Sequence, residues 1–525
     1  MAVARRGSPR ADRCALPWRK PAFVSRPGST RAERRARGGL HQLPWRNLTN
    51  PYAPIKVISE DQVEAIHQAS LRILAEIGMD FLHPEGVSLL AETGCAIEDQ
   101  RVRFDPDWVV EIVGKAPARF TLHSRNPDRN FSMGDNSISF ATVASAPNSS
   151  DFDGGRRTGN FADFTNFVRL GQHFNIIGLF GGYPVEPIDL SPATRHLDCL
   201  AAYVTLSDKV FHAYSLGRGR ILDALELVRI GRGVSRETLS EEPSLYTVIN
   251  TSSPLRLDGP MIEGLIEMAR MGQVVVATPF TLSGAMAPAT ISGALVQQNA
   301  EALATIALVQ TVRPGAPVMY GGFTSNVDMK SGAPAFGTPE YTKAALAGGQ
   351  LARRYHLPYR SSNACAANAV DSQAAYEAEM STWGAVMGHA NLVMHAAGWM
   401  EGGLVASFEK FMIDVEICQM MSEFLQPLEI DDGAIDAIAG VGPGGHFFGS
   451  PHTLERYETA FYAPLISDWR NFETWQQAGA PTAADHAHRR WQEALAEYVE
   501  PEFDDTLRAE LDDFVGRRKS EGGVG

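Results

Sequence analysis

Residues 274–325, "VVVATPFTLSGAMAPATISGALVQQNAEALATIALVQTVRPGAPVMYGGFTS", decide the fold. A β-branched run opens the stretch and ends in small and polar residues. A helical segment follows over 291–312, and a second apolar run begins at Pro317. This is the signature of a strand, a crossover helix and a second parallel strand. The rhythm extends in both directions. Upstream runs are "SISFATVASAP" (137–147), "NIIGLFGGYP" (175–184), "KVFHAYSL" (209–216) and "YTVINTSSPL" (246–255). Downstream runs are "PYRSSNAC" (358–365) and "NLVMHAAGWM" (391–400). Eight such strands over about 300 residues predict an α/β protein built on a (β/α)8 barrel, here bounded at 131–405. The third and seventh runs carry the weakest strand signal. An open doubly wound sheet is the alternative, but it would normally carry a Gly-rich first turn, and this sequence has none.

The flanks read differently. Residues 48–130 form a helical preface. "SEDQVEAIHQASLRILAEIGM" is amphipathic, with Ser59 as N-cap and Gln62 at the capping-box position. "HPEGVSLLAETG" and "DPDWVVEIVGKAP" are two further short helices. Residues 406–518 form a C-terminal helical extension packed on the barrel, in which "FEKFMIDVEICQMMSEFL", "LERYETAFYAPLISDW" and "HAHRRWQEALAEYVE" are helical. This extension favours a homo-oligomer. "GVGPGG" (440–445) follows a helical segment and not a strand, so it reads as a helix end with a turn rather than as a nucleotide loop.

Residues 1–47 carry eleven Arg and one Lys against Asp12 and Glu33. Their composition is that of a disordered tail without an export signal. The whole chain has a formal charge of -14, with 44% hydrophobic and 21% charged residues. Outside the tail the charge is about -24, which argues against nucleic acid as a partner. No apolar run reaches the roughly 18 residues of a membrane span. The five cysteines are scattered without a CxxC, which points to a reducing, cytoplasmic setting and against a thiolate zinc site. There is no HExxH, no His-x-His pair and no Walker loop, so no metal is expected to bind the chain directly.

A barrel places its chemistry at the C-terminal ends of its strands. That rule selects Gly181, Gly182, Tyr183, His212, Tyr214, Asn250, Ser252, Ser253, Phe280, Thr281, Tyr320 and Phe323. From the last two strands it adds Ser361, Ser362, Asn363, Cys365, His395, Trp399 and Glu401. The set is poor in charge and rich in aromatic rings and neutral polar groups. Aromatic faces hold cations, above all quaternary ammonium groups. A cationic, methyl-rich ligand is compatible with this set but is not demanded by it.

The chain resembles the trimethylamine methyltransferase family, and its non-pyrrolysine, glycine betaine:corrinoid branch in particular. The resemblance runs from about Pro51 to about Arg518. It is carried by "GRRTGNFADFTNFVRL" (155–170), "NTSSPLRLD" (250–258), residues 283–321, "DSQAAYE" (371–377), "HAAGWMEGGL" (395–404) and "GVGPGGHFFGSPHTLE" (440–455). It implies a barrel that transfers a methyl group from an amine to the Co(I) corrinoid (cobalamin) of a partner protein. Where the trimethylamine enzymes carry pyrrolysine, this chain reads "SSNACAANAV" (361–370), which points to a quaternary amine such as a betaine.

On that resemblance, His395 is the catalytic candidate beside the reacting centre. Tyr320, Phe280 and Trp399 are expected to cage the cation, and Asn250, Ser361 and Asn363 to orient the rest of the substrate. Glu401 is expected to balance the positive charge, and Gly402, Gly403, His446 and Phe447 to face the corrinoid over the barrel mouth. Two alternatives stay open: a non-catalytic betaine-sensing barrel, and a relative of the trimethylamine enzymes acting on a different methylated amine.

Overall fold

The computed structural model describes residues 40, 42–428, 431 and 433–524. Among them, eight parallel strands form a nearly closed barrel: β1 (Ser137–Thr142), β2 (Ile177–Phe180), β3 (Val210–Phe211), β4 (Tyr246–Ile249), β5 (Val274–Ala277), β6 (Val318–Gly321), β7 (Tyr359–Ser362) and β8 (Leu392–Ala397). β8 pairs back onto β1, and a single parallel bridge from His212 to Tyr246 joins β3 to β4. The short β3 explains its weak sequence signal. Beyond Phe211 the backbone leaves the ladder after that one bridge.

Each strand is followed by a helix: α1 (Phe161–His173), α2 (Arg195–Leu206), α3 (Arg218–Arg232), α4 (Gly259–Arg270), α5 (Ile291–Val312), α6 (Pro339–Arg354), α7 (Ser372–Met387) and α8 (Phe408–Phe424). Side chains of Asn160, Asp258, Thr290, Thr338, Asp371 and Ser407 cap six of these helices by accepting from first-turn N–H groups. α5 is buried on nearly all its faces because it lies between the barrel and the preface. α8 is the eighth barrel helix, so the barrel runs past 405 into what the sequence assigns to the extension.

The preface is not only helical. Its three helices form at Glu60–Arg72, Pro84–Ala91 and Pro106–Val113, and the capping box at Ser59 and Gln62 is complete. Between them Met79–Phe81, Ala96–Glu98 and Arg101–Arg103 form a small sheet with Arg256–Leu257, and Arg119–Leu122 pairs with Phe131–Gly134. Strands of three or four residues are too short to show a two-residue period. Most of the Arg-rich tail lies outside the described residues, but its last part packs on the fold. Arg46 pairs with Glu423 at 2.6 Å, and Leu43 N–H donates to Gln419. In the extension, helices form at Ala434–Val441, Pro451–Arg456, Phe472–Gln477, Ala483–Glu497 and Asp505–Ser520. The helix expected over 454–469 is therefore mostly loop, and "GVGPGG" is a helix end plus a turn at Gly442 (φ 70°).

Side chains alternate along the barrel strands. Ala141, Leu179, Tyr246, Val248, Val274, Val276, Met319, Leu392 and Met394 form a core inside the bore, plugged by Leu122, Phe131 and Met133. Phe140, Val275, Val318, Tyr320, Tyr359 and Val393 belong instead to the core between the barrel and its helices. Behind β8 that outer layer holds a fully buried ion pair, Lys410 Nζ to Asp414 Oδ1 at 2.5 Å. Asp414 also accepts from Gly398 N–H at 2.8 Å and from Asn363 Nδ2 at 3.3 Å. The pair fixes the turn that leaves β8. Replacing Lys410 by Met strands a buried carboxylate, and chemical denaturation is expected to show a loss of about 3–5 kcal/mol. A loss below about 1 kcal/mol would mean that the pair contributes little.

Candidate active site

At the C-terminal ends of the strands lies a cavity of 320 Å³. Its lining joins Ala144 and Ser145 after β1, Gly181 after β2, His212 and Tyr214 after β3, and Asn250 and Thr251 after β4. Thr278 and Phe280 come from the β5 end, Phe323 from β6, Arg360 from β7, and Met394, His395 and Trp399 from β8. The size suits a small ligand.

His395 reaches the cavity through a break in the alternation. Along β8, Val393 pairs with Phe140 and Ala397 with Thr142, so four steps on β8 match two on β1. His395 sits in this bulge with φ 56°, a left-handed conformation costly for a non-glycine residue. Residues held in such strain cluster at functional sites. The bulge lets both Met394 and His395 line the cavity, where strict alternation would admit one of them.

Trp399 follows, and its place depends on a glycine. A Cβ on Gly403 (φ 101°) would stand 2.7 Å from the indole ring. The aromatic wall is continuous, with ring centroids of Phe280 and Phe323 5.3 Å apart, Phe323 and Trp399 6.1 Å, and His395 and Trp399 4.1 Å. Opposite, Tyr214 packs edge-on against His212 at 4.6 Å, and its hydroxyl lies 2.8 Å from Ser145 Oγ.

Arg360 is the charged residue that the strand-end selection omitted. It is 2% exposed, and its guanidinium lies over the Phe323 ring, 5.4 Å from the centroid. It reaches Gly322 O at 3.3 Å and His395 Nε2 at 3.4 Å. Among the described residues no other one lining the cavity is charged. Burial lowers its pKa to about 10, so the guanidinium remains protonated at neutral pH. The same burial drives the His212 pKa down to about 3 and pushes His395 well below the usual histidine range, with Arg360 adding to both shifts. Both imidazoles are therefore neutral at pH 7.

Not every sequence candidate joins this cavity. His395, Phe280, Trp399 and Asn250 line it, with Asn250 exposed at the rim. Tyr320 does not: it points outward from β6, and its hydroxyl donates to Asn299 of α5 at 3.0 Å. Ser361 also faces the helices, beside the phenols of Tyr341 and Tyr359. Asn363 stands behind β8 on Asp414. Glu401 is tied to Arg156 at 3.1 Å, away from the cavity. Gly402 (φ 62°) donates to Cys365 O and, with Gly403, shapes the loop that seats Trp399. His446 and Phe447 do not cover the cavity. They lie in the extension, where His446 lines a separate surface concavity with Asp436 and His452. Ser253 is structural, since its hydroxyl and Leu255 N–H both bind the buried Glu301 carboxylate. In the structure Tyr359 belongs with the helices, so its neighbour Arg360 faces the bore.

The sequence profile of the trimethylamine methyltransferase family matches residues 25–523. The glycine betaine methyltransferase of Desulfitobacterium hafniense (strain Y51) is 37% identical over 470 residues, covering 89% of this chain and 98% of that protein. Trimethylamine methyltransferase MttB of Desulfitobacterium hafniense (strain DSM 10664 / DCB-2) is 26% identical over 475 residues, covering 89% and 94%. Trimethylamine methyltransferase MttB1 of Methanosarcina mazei is also 26% identical, covering 88% and 95%. The crystal structure of the hydroxylamine MtmB complex shares the fold, with a TM-score of 0.50, 11% identity and 88% of each chain covered.

The neutral His212 has a stability signature. Its folded pKa lies below the unfolded value near 6.5, so the unfolded chain binds more protons between the two. Its contribution is fully present above about pH 6.5 and is lost as pH falls toward about 3. Gln can keep the acceptor that Val248 N–H uses at 3.0 Å. Between pH 7 and 5 the wild type is expected to lose about 2 kcal/mol more stability than His212→Gln, read by urea titration at both values. Equal losses would place a charged imidazole in the fold.

Proposed function

The chain belongs to the trimethylamine methyltransferase family and is a methyltransferase, and on that premise we propose that it moves a methyl group from a quaternary amine, glycine betaine or a related betaine, to the Co(I) corrinoid of a partner protein. The observation that carries this reading is the cavity wall. Phe280 and Trp399 offer ring faces to an ammonium group, Phe323 backs the Arg360 guanidinium, and among the described residues no carboxylate or lysine lines the space.

The leaving group explains why such a wall is sufficient. When a methyl group leaves a quaternary nitrogen, the bonding pair stays on nitrogen and a neutral amine departs. No proton has to be delivered to it. The chain's residues then have three tasks: to strip water from the cation, to hold one methyl toward the barrel mouth, and to fix the rest of the ligand. The buried aromatic rings perform the first. Phe280 and the indole of Trp399 perform the second by confining the methyl groups, and the neutral imidazole of His395, set by its bulge beside Arg360, serves the third.

The cavity fits a cofactor presented from outside. It lies at the end of the barrel where the strands finish, and its rim carries the exposed Ser145 and Asn250. When bound there, the corrinoid supplies the nucleophile that accepts the methyl group.

Self-association belongs to the same reading. Ile435, Ile438, Phe448, Phe461, Trp469 and Phe472 of the extension are all more than half exposed, which is costly in an isolated chain. A cytoplasmic setting is supported by the four described cysteines, which are all free thiols. Among the described residues no helix is long and apolar enough to cross a membrane.

Cob(I)alamin and a panel of quaternary amines test the activity through the absorbance change on methylation. Betaine-dependent transfer is expected, reduced at least about tenfold in His395→Ala and with a KM raised about tenfold in Trp399→Ala. No transfer from any quaternary amine, with wild-type protein folded, would overturn the proposal. Near-normal turnover in His395→Ala would remove that residue from the mechanism.

A further inference from the structure

The cavity contains more hydrogen-bond donors than its own acceptors satisfy. Arg360 Nε, His212 Nδ1, His395 Nδ1 and Trp399 Nε1 are all buried and have no acceptor among the described residues. All four residues line the same cavity, and each is at least nine-tenths buried. The tautomers follow from the partners. His212 Nε2 accepts Val248 N–H, so its proton is on Nδ1. His395 Nε2 faces a guanidinium nitrogen that can only donate, so its proton is also on Nδ1. Buried donors in folded proteins are nearly always paired, and a buried guanidinium nearly always has a counter-ion. Arg360 has no carboxylate within ion-pairing distance among the described residues. Convergent donors without acceptors describe a receptor for an anion, and a fork of guanidinium nitrogens suits a carboxylate.

We propose that Arg360, assisted by the free N–H groups of His212, His395 and Trp399, is the carboxylate-binding element of this cavity and makes the chain selective for zwitterionic quaternary amines over simple ammonium ions. The inference deepens the proposed function and rests on it for the identity of the cationic end. The donors alone carry the anionic end. Arg360 is then the specificity-determining residue. An amine without a carboxylate would meet an uncompensated positive charge, whereas a betaine brings the charge that neutralises it.

Calorimetric titration of the intact chain with glycine betaine, its amide (a cation without the carboxylate) and choline tests the inference directly. Wild type is expected to bind glycine betaine at least about 30-fold more tightly than either analogue, and Arg360→Met to bring the three within about threefold. Arg360→Lys is expected to retain a reduced preference, because it keeps the charge and loses the fork. If wild type binds the amide as tightly as the acid, or if Arg360→Met keeps the full preference, the inference is wrong. Should Arg360→Met fail to fold by circular dichroism, the wild-type comparison of acid with amide decides the question alone. The activity assay remains separate. A carboxylate preference without methyl transfer would overturn the catalytic reading and keep this one, and methyl transfer without the preference would do the reverse.

Discussion

The two-residue period of the barrel strands, and its interruption at one place, is the constraint on which the site depends. A parallel strand buried on both faces must send alternate side chains to the bore and to the helices. That sends Val248, Val276, Met319 and Arg360 inward and Val275, Tyr320 and Tyr359 outward. A regular β8 would turn His395 toward the helical layer. The bulge between Val393 and Ala397 reverses this, at the cost of a left-handed residue. Several features behind β8 hold that strained turn: the Asp414 carboxylate on Gly398 N–H, the Lys410 ammonium on Asp414, and the Cys365 and Ala367 carbonyls on the following loop. The strain persists because the surroundings over-determine it.

Much of the architecture was legible because parallel strands leave uninterrupted apolar runs and their helices carry caps. All eight runs contain a barrel strand, and the helix caps stand where Ser, Thr, Asn and Asp precede helical segments. The side-chain direction within a run was not legible. "VMYG" at β6 is apolar throughout, so nothing in it says that Tyr320 faces α5. "YRSS" at β7 hides its parity in the same way, which brought Ser361 forward and left Arg360 aside. Glu401 could not be placed because its partner, Arg156, lies 245 residues away in the chain. Three-residue strands in the preface carry no period to detect.

The electrostatics of the cavity follow from its burial. Desolvation keeps His212 and His395 neutral, so the guanidinium of Arg360 sets the local field alone. Two like charges about 6 Å apart repel by roughly 3 kcal/mol at an effective dielectric near 20. Cation–π contacts in a dry site contribute about 2 kcal/mol. The aromatic wall by itself would therefore not outweigh Arg360 for a plain ammonium ion. A carboxylate on the ligand changes that balance, because its pairing with the guanidinium exceeds the residual repulsion at the other end.

This balance also gives the cavity a direction. Arg360 lies within β7, whereas Phe280 lies past the end of β5 and is only partly buried, and Asn250 stands at the exposed rim. A zwitterion anchored at Arg360 turns its carboxylate toward the bore. Repulsion from the same guanidinium drives its ammonium outward, against Phe280 and Trp399. The methyl groups then occupy the mouth side, the one side from which a macromolecular acceptor can approach a barrel whose other end is plugged by Leu122, Phe131 and Met133. On the proposed binding mode a single buried charge serves two ends: it selects the acid group and aims the group to be transferred. The cost is a cation that no described residue neutralises, and replacement by a neutral side chain of similar length would remove that cost and the orientation together.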